Sequence, residues 1–449
     1  MKKGFKPIGP VNWALLLAAI ILLWSSSNMK WGDGRWNRIV KTDGTGYFSY
    51  LPAIFVYHDL TFSFHDSVAG HPEHSEFKYE YRTHYKGQPV NKYYAGTALM
   101  MMPFYLIGHL LNYLTGNPMD GFSVWVLIFI HIGAIFYTLL GMWWLSRILV
   151  TYQIKPLINA VVVFAVLFGT NLFYYVSEEP SMSHVYSFAM VSLFILAVNQ
   201  YFLGAGVRWF FVAMVAFGMI VLIRPVNGLV LFSLPFLAGD WYTLKRGFTV
   251  LFQKSATLLA GMLLAGFIVG IQGLIYLMQT GEFFVYSYRD EGFNFTNHHM
   301  VDFLFSYRKG FFVYTPLCMV ALFGCWKVWK TSKFAAFGFA GFFILVVYLL
   351  SSWWQWYYGG SFSSRVMIEY LPFFMILLAL LLQQFPRPKW MIGLVFLLIV
   401  FCQIQTYQYR YGYLHWQDMN KELYWERFMR FDMNVICFPI IEGTQARVR

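Results

Sequence analysis

The chain has 449 residues, of which 58 % are hydrophobic, 21 % aromatic and only 12 % charged. A water-soluble globule cannot hide that much apolar surface, so the composition excludes a soluble enzyme and points to an all-α polytopic membrane protein. The net charge of +12 is no nucleic-acid footprint, because Lys and Arg recur in short clusters between apolar runs, the pattern that fixes membrane orientation.

The first apolar run, about 11–27, follows Lys2, Lys3 and Lys6 and imitates a secretory signal. The Ser25-Ser26-Ser27-Asn28-Met29-Lys30 stretch after it offers no convincing small-x-small cleavage site, so a retained first helix is expected. Next comes Lys41-Thr42-Asp43-Gly44-Thr45-Gly46, an acid set among glycines, which is either a solvated turn or a catalytic carboxylate. Residues 46–60 are apolar and aromatic but too short to cross; they suit a helix lying in the interface, where tyrosine rings prefer to sit. The run at 93–115 opens with Tyr93 and Tyr94 and is interrupted by Gly96, Pro103, Gly108 and His109.

Further spans are expected at about 122–146, 156–177, 183–203, 209–223, 226–238, 256–279, 311–329, 334–352, 366–384 and 389–405. If 93–115 lies in the interface instead of crossing, the clusters at Arg147 and Lys155, Arg208, Lys245 and Arg246, Lys327 and Lys330, and Arg387 and Lys389 all fall on the cytoplasmic side with the N-terminus. That gives about 11 spans. The non-cytoplasmic side then receives a first loop over 28–121, Glu178-Glu179-Pro180, the loop at about 280–310, the Trp353–Arg365 stretch and an aromatic, charged tail over 406–449. Any chemistry is expected on that face.

This layout resembles the GT-C superfamily of integral-membrane glycosyltransferases, the class of protein O-mannosyltransferases and lipid A aminoarabinose transferases. The carriers are the acid after the first helix in TDGTGYFSYLP, two juxtamembrane helices in the first loop, YYVSEEPSMSHVYSF, LIRPVNGLVL and WWQWYYGGSFSSRVMIEYLPFF. The resemblance covers about 1–405; the Asp43-Gly44-Thr45-Gly46 pattern departs from the usual acidic-acidic or acidic-proline pair. It implies transfer of a sugar from a polyprenyl-phosphate donor to an acceptor hydroxyl, with inversion, at the external face of a bacterial inner membrane.

On that resemblance Asp43 is the expected general base, since an attacking hydroxyl must lose its proton. Glu178 and Glu179 are expected to orient the acceptor or, with Asp43, to hold a divalent cation; hard cations take oxygen ligands. A metal is not required, and no redox cofactor is implied. Arg365 and Arg224, then Arg308 and Lys309, are the candidates for the departing phosphate, because an arginine at membrane depth is costly unless paired or functional. For Arg365 the bland alternative is an ion pair with Glu369 one helical turn on. Tyr47, His184, His298 and Trp356 are candidate substrate contacts. The partners implied are the lipid-linked donor, a lipid, glycan or protein acceptor, and membrane lipids, with no nucleic acid.

The histidines of the first loop, His58, His65, His71, His74 and His84, lack a second cluster with structural-zinc spacing and read as solvated. Cys318, Cys325, Cys402 and Cys437 read as structural thiols, the first two placed on one helix. The rival reading, a lipid or sugar transporter or flippase, needs an internal repeat and midplane charges, and only the Arg224-Pro225 break suits it. A non-catalytic assembly factor on the same scaffold is the third reading.

Overall fold

The computed structural model describes residues 9–70, 76–386 and 388–431. After α1 (Pro10–Ser26), a wider-wound turn continues to Trp31. The first loop holds α2 (Asp43–Phe55), α3 (His65–Gly70) and an antiparallel hairpin of β1 (Arg82–Tyr85) and β2 (Gln88–Asn91). Then follow α4 (Gly96–Thr115), α5 (Val124–Thr151), α6 (Pro156–Phe168), α7 (Leu172–Ser177), α8 (Ser183–Phe202) and α9 (Arg208–Ile223). A 3-10 stretch (Pro225–Ser233) leads into α10 (Leu234–Ala238), followed by α11 (Trp241–Gln253), α12 (Ser255–Thr280), α13 (Met300–Phe305), α14 (Phe311–Tyr314), α15 (Pro316–Leu322), α16 (Cys325–Thr331) and α17 (Lys333–Ser351). A second 3-10 stretch (Arg365–Tyr370) opens α18 (Leu371–Gln383), and α19 (Lys389–Arg410) and α20 (Lys421–Arg427) close the described chain.

By length and composition, 8 of these helices can cross a membrane, and Pro156–Phe168, Arg208–Ile223 and Pro225–Ala238 are shorter apolar helices. The protein is therefore an all-α multi-pass membrane protein. Two expectations are corrected in detail. The run at 311–329 is not one helix but α14, α15 and part of α16: Pro316 has no N–H to continue the preceding turn, and Gly324 lies so close to Leu377 that a Cβ would stand 2.1 Å from its carbonyl oxygen. Cys318 and Cys325 consequently sit on separate helices, as free thiols like Cys402; Cys437 lies outside the described residues. Likewise 156–177 breaks at Gly169, where Thr170 turns its hydroxyl back onto the Val166 carbonyl at 2.6 Å.

Small residues set the close helix contacts, as expected where packing and not water exclusion drives association. Gly108 of α4 faces the backbone of Trp125 and Val126, and Gly133 faces the ring of Phe104, so α4 and α5 run antiparallel. Gly96, at the foot of α4, meets the backbone of Leu222 and Ile223 at the end of α9, while Gly141 of α5 meets Phe188 and Ala189 near the start of α8. From the level where α8 begins and α9 ends, α4 thus climbs toward the start of α5, although its own length and apolarity would suffice for a crossing. The helices α8 and α18 are buried almost throughout. The N-terminal end of α8, the 3-10 stretch ahead of α18, the end of α9 and the first turn of α2 converge on one cavity.

Candidate active site

Asp43 opens α2, and the glycines around it explain its position. A Cβ on Gly44 would lie 2.0 Å from the Ser181 hydroxyl, and one on Gly46 would lie 2.2 Å from the Tyr93 ring. With hydrogen in those places, the first turn of α2 presses against the α7–α8 connection on one side and admits Tyr93 on the other. Asn91 at the end of β2 donates to the Gly46 carbonyl at 2.8 Å, and Tyr50 donates to the Tyr93 carbonyl at 2.7 Å, so the hairpin is tied to α2. The Tyr93 hydroxyl then donates to Asp43 Oδ1 at 2.8 Å and is itself hydrogen-bonded to the Tyr79 hydroxyl at 2.7 Å.

Arg365 reaches the other carboxylate oxygen, Asp43 Oδ2, at 2.6 Å. Burial pushes the Asp43 carboxyl up, but the Arg365 charge, the Tyr93 hydrogen bond and the Lys92 charge outweigh it and bring it down to about 2. Arg224 sits between α9 and Pro225 in fully extended backbone, φ −152° and ψ 111°, which turns its side chain out of the helix line. Its guanidinium donates to Glu369 Oε1 at 3.0 Å; the same oxygen lies 3.0 Å from His184 Nδ1 and 3.3 Å from Asn227 Nδ2. A third pair, Lys92 with Glu291 at 2.6 Å, lies beside the Tyr288 ring.

Together these groups surround a cavity of about 240 Å³. Its walls include Asp43, Tyr47, His184, Arg224 and Arg365 from the sequence-predicted set, joined by Lys92, Tyr93, Tyr288, Glu291, Trp353 and Tyr358. Aromatic faces with hydroxyl handles beside paired charges suit a polar ring compound carrying an anion.

The remaining predicted residues lie elsewhere. Glu178 is held by Lys30 at 2.9 Å and Arg410 at 2.7 Å and does not line the cavity, so it is not joined with Asp43 around a cation. Glu179 is buried and accepts from the Tyr174 hydroxyl at 3.4 Å. Arg308 lies 3.5 Å over the Tyr357 ring and pairs with Asp418 at 3.1 Å. The Lys309 ammonium is buried, donates to the Ser361 carbonyl and faces the Tyr409 ring. Burial, with Arg308 nearby, pushes that amine down to about 7. His298 packs on Tyr348, and Trp356 stacks on His299. In the first loop His65, Asp66 and Glu80 approach one another, but Arg82 holds both acids at 2.6 and 2.9 Å; this is an ion-pair cluster. His71 and His74 lie outside the described residues.

The helix-turn pair of Arg365 with Glu369 is not formed. In a 3-10 turn residues four apart point about 120° from each other, not about 40° as in an α-helix. Arg365 therefore meets Asp43, and Glu369 meets Arg224. The partners that sequence reasoning missed, Tyr93, Lys92 and Glu291, join through contacts some fifty to two hundred residues long; the only local sign was Asn91-Lys92-Tyr93-Tyr94 at the mouth of an apolar run.

No protein-family model and no curated protein matches the sequence. Among solved structures, the chain is similar to the crystal structure of ArnT from Cupriavidus metallidurans bound to undecaprenyl phosphate, with a TM-score of 0.51 and 14 % sequence identity. The match covers 89 % of this chain and 67 % of that one. The likeness is one of fold.

Proposed function

We propose that the protein is a membrane glycosyltransferase that moves a sugar from a polyprenyl-phosphate donor to an acceptor hydroxyl on the non-cytoplasmic face, with inversion at the anomeric carbon. The observation that carries this reading is the convergence of the Asp43 carboxylate and two arginines, Arg365 and Arg224, on one aromatic cavity within a fold similar to that of a protein bound to undecaprenyl phosphate.

The acceptor oxygen attacks the anomeric carbon as the bond from that carbon to the phosphate oxygen breaks. The bonding pair leaves on the phosphate, and the acceptor proton passes to Asp43. Arg365 and Arg224 carry the charge that develops on the leaving group. A carboxyl at about 2 is a feeble base, and Arg365 is the main lowering cause. When the donor phosphate takes up the Arg365 guanidinium, burial remains to raise Asp43, so the base gains strength only with the donor in place. Asp43 faces Tyr79, Lys92, Tyr93 and Tyr288 from the first loop and the loop after α12, Arg365 ahead of α18, and Tyr47 on its own helix.

The test is release of polyprenyl phosphate by detergent-purified wild type and Asp43→Asn, offered a panel of polyprenyl-phosphate sugars. Turnover by wild type with loss of at least about 100-fold in the variant is expected for a general base. Equal turnover by both removes Asp43 from the chemistry.

A further inference from the structure

Glu369 is fully buried and does not line the cavity, yet two groups that do, Arg224 and His184, both rest on it. Its Oε1 takes a hydrogen bond from Arg224, lies 3.0 Å from His184 Nδ1 and is within reach of Asn227, while Oε2 has no hydrogen-bond partner among the described residues. Asn227 is anchored in turn by Ser187 at 2.9 Å and by the Tyr370 hydroxyl at 3.3 Å. An ionised carboxylate in so dry a place is expensive unless paired and hydrogen-bonded, and here Arg224 and His184 are the partners that offset the cost.

Oε1 also decides the state of the imidazole. A carboxylate oxygen 3.0 Å from Nδ1 requires a proton on Nδ1, because two acceptors repel at that distance. Arg224 Nη1 lies 3.2 Å from the same nitrogen and gives one hydrogen to Oε1; its second would find a lone pair on Nδ1 only if Nδ1 were bare, which would leave two acceptors, Nδ1 and Oε1, 3.0 Å apart. In the neutral ring Nε2 is then the acceptor, and the ring lines the cavity.

We propose that Glu369 is the positioning residue of this site: it aims Arg224 at the donor phosphate and fixes His184 as the Nδ1–H tautomer, so that Nε2 accepts a hydrogen bond from a substrate hydroxyl. The pair then selects a hydroxylated ring next to an anion, with His184 reading the hydroxyl and Arg224 the phosphate. This rests on the glycosyltransferase reading for the identity of the anion, but not for the tautomer.

Two measurements on the full chain in detergent test it. Polyprenyl phosphate binding is compared between wild type and Glu369→Gln, with thermal unfolding of each as the check on folding. In parallel, NMR of isotope-labelled histidine reports which His184 nitrogen carries the proton, the signal assigned by its loss in His184→Asn. The expected result is an Nδ1–H tautomer in wild type, lost in Glu369→Gln, with binding weaker by about 10- to 100-fold, by analogy with removal of the outer partner of a metal-ligating side chain. Unchanged binding by a folded variant overturns the proposal, and so does an Nε2–H tautomer in wild type, even if Glu369→Gln does not fold. A wild type that binds no polyprenyl phosphate overturns the donor reading instead, and the tautomer still decides on Glu369.

Discussion

The Asp43–Arg365 pair is the contact on which the cavity turns, and its strength follows from the structure. The two side chains are 21 % and 14 % exposed and meet at 2.6 Å. Against the opposing push of burial, the Asp43 carboxyl falls from 3.8 to about 2. At about 1.4 kcal/mol per pH unit, that difference stabilises the folded state by about 2 kcal/mol at neutral pH. The folded value is the lower one, so the contribution is complete above about pH 4 and drains away as the pH falls toward 2. Asp43→Asn should therefore cost about 2 kcal/mol. Arg365→Gln should cost about 3 kcal/mol or more, because it strands a buried carboxylate. The double variant should cost about 2 kcal/mol less than the sum of the two. Denaturant unfolding in mixed micelles at pH 7 measures all four species. Additivity within about 0.5 kcal/mol would refute the reasoning, since it would mean that the pair is screened despite its burial.

Two further outcomes are expected. Gly46→Ala places a Cβ 2.2 Å from the Tyr93 ring and 2.9 Å from Tyr81 Cβ, and should destabilise by about 1–3 kcal/mol while lifting the Tyr93 hydroxyl off Asp43; Gly266→Ala, with nothing within 4 Å, is the control, and equal melting shifts for the two would count against the packing account. Lys309 keeps its proton up to about 10.5 when unfolded but only to about 7 when folded, so wild-type stability should rise with pH across that window; melting temperatures of Lys309→Met should lack this rise, and a parallel slope in both would show the amine to be solvated.

Much of the cavity was legible because its residues stand at punctuation in the chain. Asp43 is set among Gly44 and Gly46, Arg224 is followed by Pro225, and Arg365 comes after Gly359-Gly360. In each case the residue that stops or tightens a helix also exposes a charged neighbour. Partners were harder to read. Glu178 sits at such a break too, at the end of α7, but its carboxylate turns to Lys30 and Arg410, and nothing in its own stretch says which cations will be near. Tyr93 was read as the start of an apolar run; only the hairpin of β1 and β2, held to α2 by Asn91, brings its hydroxyl to Asp43.

The Arg365–Glu369 stretch shows why locating a break does not settle how the chain winds beyond it. In a helical membrane protein every backbone N–H and C=O at depth needs a partner, so irregular backbone survives only where it is buried in protein or lines a cavity. Breaks and sites therefore coincide, and glycine and proline mark both. The winding after a break is set by the groups that pack on it. Here the Lys309 ammonium on the Ser361 carbonyl, and the Ser364 hydroxyl on the carbonyls of Phe303 and Lys309, hold the chain just ahead of the 3-10 turn over Arg365–Tyr370. That winding separates two residues an α-helix would have paired. It sends the arginine to Asp43 and the glutamate to Arg224, so that two separate pairs, and not the one an α-helix would have offered, bring Asp43, Arg365 and Arg224 to the cavity.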